Sequence, residues 1–409
     1  MAKKVVLVGA LDTKGRDFAY VRDLLRGMGF DTIVVDFGVV GAPFFEPDIK
    51  RDEVAKSGGV SIEELQSKKD KALAMEVMTR GLKEVVKKLY DEGKLDGIMG
   101  MGGSAGTVIA TTAMQTLPIG IPKIMVSTVA GGDVSRYVGL KDIIMIPSIV
   151  DVAGLNRISR IVYRNAVGAL AGMLSHGASE EMAKAPEKPV IVISMFGNTT
   201  PCVEKVKELL GDSYEILVFH ATGTGGKTME MLIEEGLVSA VADITTTELA
   251  DEIGGGVLTA GKDRLFAAAR RGVPTVLVPG CVDMINFWAK DTLPESYKTR
   301  NIYEWNPNVT LVRTNVEENK KIGEWIAKAA NESKGPVAIL IPLKGVSMLD
   351  SPGGPFWDPE ADRACFEAIK SNLKPHIPVY ELDYNINDPE FAQKVVEVLL
   401  ELMKKGGVI

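Results

Sequence analysis

Where apolar runs end in this chain, glycines and hydroxyl residues repeatedly follow, a combination suited to anions. Gly9-Ala10-Leu11-Asp12-Thr13-Lys14-Gly15 comes directly after the run Val5-Val6-Leu7-Val8 and leads into a helical pattern. The first amides of a helix have no intrahelical acceptor, and its dipole favours negative charge at that end. Thr13 adds a hydroxyl and Lys14 a positive charge, while Asp12 can orient a hydroxyl or hold a metal-bound water. The same residues also fit a helix cap beside a solvated lysine. A second turn, Gly100-Met101-Gly102-Gly103-Ser104-Ala105-Gly106-Thr107, lets backbone amides approach a phosphate closely. Residues 100–105 also match G-x-G-x-x-A. The dinucleotide fingerprint belongs on the first strand-to-helix turn, however, so the spacing favours phosphate over NAD. Packing of a helix close to a sheet is the alternative use of these glycines. The third turn, Ser127 to Asp133, contains Gly131 and Asp133 and fits a loop beside the same ligand. Asp151 and Asn156 are fainter members of that edge.

In the second half, His220-Ala221-Thr222-Gly223-Thr224-Gly225-Gly226-Lys227-Thr228 ends a strand and opens a helix. Gly226-Lys227-Thr228 match the end of a phosphate loop, but Ala221 stands where its first glycine belongs. An anion- or substrate-binding turn using Thr222, Gly223, Gly225 and Gly226 is therefore favoured over a nucleotide-hydrolysing P-loop. His220 suits a general base or acid, and equally a hydrogen-bonded residue at a helix start. Asp243, Asp283, Asn286 and Lys344 follow later strands. With His220 they are expected at one sheet edge, as an acid/base and carboxylate-binding site. Cys281 lies nearby and reads as a buried thiol.

The elements that must position these turns alternate as strand and helix. In the first half, strands are expected at residues 5–8, 32–36, 96–99, 123–126 and 143–146, and helices at 16–28, 69–92, 103–114 and 155–174. A loop containing Pro43 and Pro47 joins the second strand to the second helix. In the second half, strands are expected at 190–194, 215–219, 238–243, 274–278, 309–313, 336–341 and 377–382, and the last helix at 389–404. Continuous apolar runs, rather than alternating ones, indicate parallel sheets covered on both faces. The fold class is α/β, with two doubly wound, Rossmann-like domains and mostly parallel sheets. Their expected bounds are 1–178 and 190–409, with a charged, proline-containing linker at 179–189. Ligands in such sheets bind outside the carboxyl ends of the strands.

Composition narrows the class. The 409 residues are 46% hydrophobic and carry a net charge of -7, with no basic block. That argues against nucleic-acid binding and against docking on an anionic membrane. The three scattered cysteines and three histidines have no metal-ligand spacing, so no metal site on protein ligands is expected. No signal peptide or transmembrane stretch is expected, and the default compartment is the cytoplasm.

Taken in order, GALDTKG, GMGGSAGT, STVAGGD, HATGTGGKTME and PGCVDMINFW resemble an uncharacterised two-domain α/β family. That family is shared with the ATP-binding N-terminal portion of the tomato mosaic virus resistance protein of the Tm type. The resemblance covers about residues 5–400. It implies ATP binding in the first domain and a homodimer. The implied ATP site falls on Asp12, Thr13, Lys14, Gly102, Gly103, Ser104, Gly106 and Thr107, with Gly131 and Asp133 as neighbours. The functional expectation is an ATP-binding protein, acting with Mg²⁺ on a small carboxylate metabolite. Two alternatives stand beside it: an ATP-regulated protein-binding module without turnover, and a nucleotide-independent hydrolase or isomerase whose site lies in the second domain.

Overall fold

The computed structural model describes residues 2–177 and 188–409. The chain divides into two compact units, Met1–Pro186 and Glu187–Ile409. Residues 179–187 of the expected linker lie outside the described residues.

The N-terminal unit holds strands β1 (Lys4–Gly9), β2 (Asp31–Asp36), β3 (Gly97–Gly102), β4 (Lys123–Ser127) and β5 (Ile143–Pro147). They form one parallel sheet in the order β2-β1-β3-β4-β5. Side chains alternate across a strand, so β1 sends Val5 and Leu7 to one face and Val6 and Val8 to the other. The first pair joins a core with Phe18, Leu25, Tyr163 and Leu170, on the helices Leu11–Gly27 and Arg157–His176. The second pair packs with Met78, Leu82, Ile109 and Met114, on the helices Lys71–Asp91 and Ser104–Met114. Each fully buried Val or Leu contributes roughly 1.5–3 kcal/mol. The order reverses between β1 and β3, making that crevice the switch point of the sheet.

Two local departures matter for function. The first helix starts at Leu11, so Asp12, Thr13 and Lys14 lie in its first turn rather than in a preceding loop. The cause is the Asp36 carboxylate at the end of β2, which accepts the Leu11 amide at 2.9 Å. The segment expected as a loop before residue 69 contains two short helices, Arg51–Ser57 and Ile62–Lys68. Ser61 caps the second by accepting the Glu64 amide at 3.2 Å. Asp70 caps the long helix that follows, accepting from Ala72 and Leu73 at 2.9 and 3.1 Å.

The C-terminal unit holds β6 (Val190–Met195), β7 (Glu215–His220), β8 (Ala240–Thr245), β9 (Thr275–Gly280), β10 (Met284–Phe287), β11 (Ile302–Asn306), β12 (Val309–Arg313), β13 (Val337–Pro342) and β14 (Val379–Leu382). Six of them make a parallel sheet in the order β14-β13-β9-β8-β6-β7. The strand expected at 309–313 is not among these six. It sits between β10 and β11 in a small antiparallel sheet. Only Pro307 and Asn308 separate β11 from β12, and a connection that short can join antiparallel neighbours only.

Candidate functional site

A cavity of about 930 Å³ opens at the switch point of the N-terminal unit. Its polar wall comes from the ends of β1 and β3: Asp12, Thr13 and Lys14 on one side, and Gly102 through Gly106 on the other. Its apolar wall comes from Leu65, Ala74, Met75, Met78 and Ile109, on three helices. The loop after β2, Phe37 to Val40, forms a third side.

That loop is fixed by side chains. Asp12 Oδ2 accepts the amides of Val40 and Gly41 at 2.8 and 3.1 Å. Gly38 lets the loop approach, since a Cβ there would lie 2.6 Å from the Asp12 carboxyl. Asp36 accepts the amides of Leu11 and Gly38, both at 2.9 Å, and is fully buried. Burial raises its pKa, against the pull of those two amides. The acid at the end of β2 thus braces the first helix and does not line the cavity. Lys14, Lys69 and Lys71 do line it, and none has an ion-pair partner among the described residues.

The helix Ser104–Met114 points its N-terminus into this wall. Its N-cap, Gly103, has no side chain to offer, and the amides of Ser104, Ala105 and Gly106 have no acceptor among the described residues. The glycines themselves are informative. Gly100 is a packing residue, because a Cβ there would lie 2.9 Å from Met125 Sδ and 3.0 Å from Ala110 Cβ. Gly102, Gly103 and Gly106 are different. A Cβ at these positions meets nothing closer than 3.4, 3.7 and 3.9 Å, and none of the three has a positive φ. Neither packing nor backbone conformation demands glycine there, although a glycine inside a helix costs up to about 1 kcal/mol relative to alanine.

Of the ten residues implied for the nucleotide, seven line the cavity: Asp12, Thr13, Lys14, Gly102, Gly103, Ser104 and Gly106. Thr107, Gly131 and Asp133 do not. Thr107 is fully buried, and its hydroxyl holds the Gly103 carbonyl at 2.8 Å and Ser127 Oγ at 2.6 Å. It therefore positions the turn rather than touching its contents. Asp133 caps the Ser135 amide at 2.9 Å on the surface. The helix of Leu65 and Gln66 was not expected, although the Ser61-x-x-Glu64 cap signals it, and Met75 and Met78 on the expected helix were not assigned to the site.

In the C-terminal unit the glycine turn is already filled. Glu248 Oε1 accepts the amides of Gly223 and Gly226 at 2.8 and 3.1 Å, so the anion in this nest is the protein's own carboxylate. The glycines are required by packing. A Cβ would lie 1.8 Å from the His220 carbonyl at Gly225, and 2.2 Å from Glu248 at Gly226. Thr222 Oγ1 donates to the His220 carbonyl at 3.3 Å.

His220, Asp243, Asp283, Asn286 and Lys344 are distributed over separate networks instead of one site. Asp243 is paired to Arg264 and accepts Ser194 Oγ at 2.6 Å. Asn286 donates to Asp251 and Thr247 at 3.1 and 3.3 Å. Lys344 pairs with Asp383 at 2.9 Å on the surface. His220 is exposed at the end of β7, an edge strand, beside the Phe196 ring. For the buried three, Asp243, Asp283 and Asn286, the separation is physical: a buried polar group takes the partner its own strand end offers, while His220 and Lys344 stay exposed. Cys202, Cys281 and Cys365 are buried thiols, and burial pushes Cys202 up to about 12.

Asp283 belongs to a buried cluster in which Ser347 donates to it at 2.8 Å and Arg313 reaches Asp362 at 2.6 Å and Asp350 at 3.5 Å. Burial raises the pKa of all three carboxyls, and repulsion from Asp350 adds to the rise at Asp283 and Asp362. These acids bind protons more tightly folded than unfolded. Their contribution to stability is complete below the ordinary carboxyl pKa of about 4 and is lost as pH rises through their raised folded values. Asp362→Asn, which cannot ionise, is expected to flatten the loss of stability between mildly acidic and mildly alkaline pH. Urea denaturation of both proteins across that range measures it, and parallel curves would contradict it.

The N-terminal domain model of an uncharacterised protein family (UPF0261) matches residues 3–179, and the model of its C-terminal domain matches residues 188–403. This chain belongs to the UPF0261 family. A UPF0261 protein of Clostridium tetani is 48% identical over 407 residues, 99% of this chain and 100% of that protein. Another from Mesorhizobium japonicum is 45% identical over 399 residues, 97% of this chain and 98% of that protein. The ToMV resistance protein Tm-1 of Solanum lycopersicum is 42% identical over 341 residues, 82% of this chain but 45% of the tomato protein. The aligned stretch therefore spans less than half of that plant chain. Among the described residues, no helix is long and apolar enough to cross a membrane.

Proposed function

We propose that the N-terminal unit binds ATP in the switch-point cavity, with its phosphates on the Gly102–Gly106 turn. The observation that carries this reading is the trio Gly102, Gly103 and Gly106. They line a cavity at a helix N-terminus with free amides, and no contact within the protein requires them to be glycine. Close approach of a ligand to the backbone supplies the missing reason. Lys14 adds an unpaired charge for the phosphates, and the apolar wall suits a base. The residues therefore fit the group that the family resemblance implies. Among the described residues, no set of three or more His, Cys, Asp or Glu side chains is arranged for a metal. Of the carboxylates that line the cavity, Asp12 and Asp70 are engaged by backbone amides, so Mg²⁺ would be held by the phosphates and water with Asp151 as the lining carboxylate.

Lys69 and Lys71 favour an enzyme acting on a small carboxylate. They place two further unpaired positive charges on the same cavity, beyond what the phosphate turn uses. Catalysis there is positioning and charge neutralisation. Titration calorimetry with ATP and Mg²⁺ tests the site, with GTP and NAD as comparators. ATP is expected to bind, and Lys14→Ala to weaken it by about 1–3 kcal/mol, the value of a charge-assisted hydrogen bond. Absence of ATP heat from the wild type sinks the proposal. ATP binding without phosphate release, across a panel of carboxylates, would replace the enzyme by a regulatory module.

A further inference from the structure

We infer that Gln66 selects the base, favouring one that presents an amino group, as adenine does, over one that presents a keto oxygen. The inference rests on the nucleotide assignment of the cavity.

Gln66 lines the cavity beside Leu65, on the helix Ile62–Lys68, next to the apolar wall of Ala74, Met75 and Met78. Its Nε2 donates to the Val39 carbonyl at 3.1 Å. Only the nitrogen end of a carboxamide can donate to a carbonyl. Turning the amide over would set two acceptor oxygens against each other. Hydrogen-bond chemistry therefore fixes which end faces away from Val39, and that end is Oε1. It has no partner among the described residues. The Val39 carbonyl is itself held in place, because Asp12 grips the next two amides, Val40 and Gly41. Gln66 is exposed, so it offers the cavity an acceptor from a helix that carries none of the phosphate turn's residues.

An acceptor held in this way rewards a donor and penalises another acceptor. The exocyclic amine of adenine offers the donor, whereas hypoxanthine presents an oxygen at the same atom position. A base seated against Gln66 covers this acceptor from water, and an analogue that lacks the donor then leaves it unpaired.

ATP and ITP differ at that position and keep the same ribose and triphosphate. Calorimetric titration of the full chain with each, in Mg²⁺, gives the ratio of affinities. The wild type is expected to prefer ATP by roughly tenfold or more, the worth of one hydrogen bond to a fixed partner. In Gln66→Ala and Gln66→Leu the ratio is expected to fall to about one to threefold. Lys14→Ala is expected to weaken both nucleotides and leave the ratio unchanged. A wild-type preference that persists in both Gln66 variants overturns the role of Gln66 while leaving ATP in the cavity. Failure of the wild type to bind either nucleotide overturns the cavity assignment and this inference with it.

Discussion

Arg264→Ala is expected to lower the stability of the C-terminal unit by about 3–5 kcal/mol, the range for removing one partner of a buried ion network. Arg264 is 1% exposed. Its Nε donates to Glu248 at 2.6 Å, and its two terminal nitrogens grip Asp243 at 2.5 and 2.7 Å. Glu230 lies within 3.1 Å of the same guanidinium and also accepts the amides of Leu265 and Ala267 at 2.6 and 2.8 Å. Burial raises the pKa of Glu230, and Arg264 opposes the rise. Without the arginine, three carboxylates share a dry site, and they must take up protons or admit water. Glu248 would also lose the partner that aims it at the Gly223 and Gly226 amides, so the turn opening the helix Thr224–Glu234 loosens too. Arg264→Lys is not expected to rescue, because a single ammonium cannot reproduce the planar fork. Urea denaturation measures the loss. A change under about 1 kcal/mol, the scale of an exposed pair, would show that the cluster gives up its charge at little penalty.

Gly106→Ala is expected to do two opposite things. It improves helix propensity and meets no protein atom closer than 3.9 Å, so stability should hold or rise by up to about 1 kcal/mol. It also places a methyl group in the wall where the proposed site brings the phosphates to the backbone. Affinity for ATP should fall by roughly a hundredfold, near the upper end of what overpacking one methyl group does, about 3 kcal/mol. Most substitutions that destroy a site also loosen the fold. Here the two effects separate, because no packing contact requires the glycine whereas the proposed phosphate site does.

Much of this arrangement was legible in the residues. Unbroken apolar runs such as Val5–Val8 and Val190–Ile193 mark buried parallel strands, and the glycine turns after β1 and β3 converge at the switch point because parallel strands carry their carboxyl ends to one edge. Long-range partnership was not legible. Nothing local to Gly223-Thr224-Gly225-Gly226 shows that Glu248, more than twenty residues later, fills the nest. Asp36 likewise caps a helix that begins twenty-five residues before it. The helices Arg51–Ser57 and Ile62–Lys68 are only seven residues each, too short for periodicity to announce them, although the Ser61 cap does. The scattering of His220, Asp243, Asp283, Asn286 and Lys344 has the same origin. Each follows a strand, but burial hands Asp243, Asp283 and Asn286 separate partners, while His220 and Lys344 stay exposed.

The most direct test of the nucleotide site is calorimetric ATP titration of wild type and Gly106→Ala, with thermal unfolding of both proteins in the absence of ligand. The predicted result is an equal or higher melting temperature for the variant, together with ATP affinity reduced by roughly a hundredfold. Equal ATP affinity in the two proteins would contradict the placement of phosphates on the Gly102–Gly106 turn.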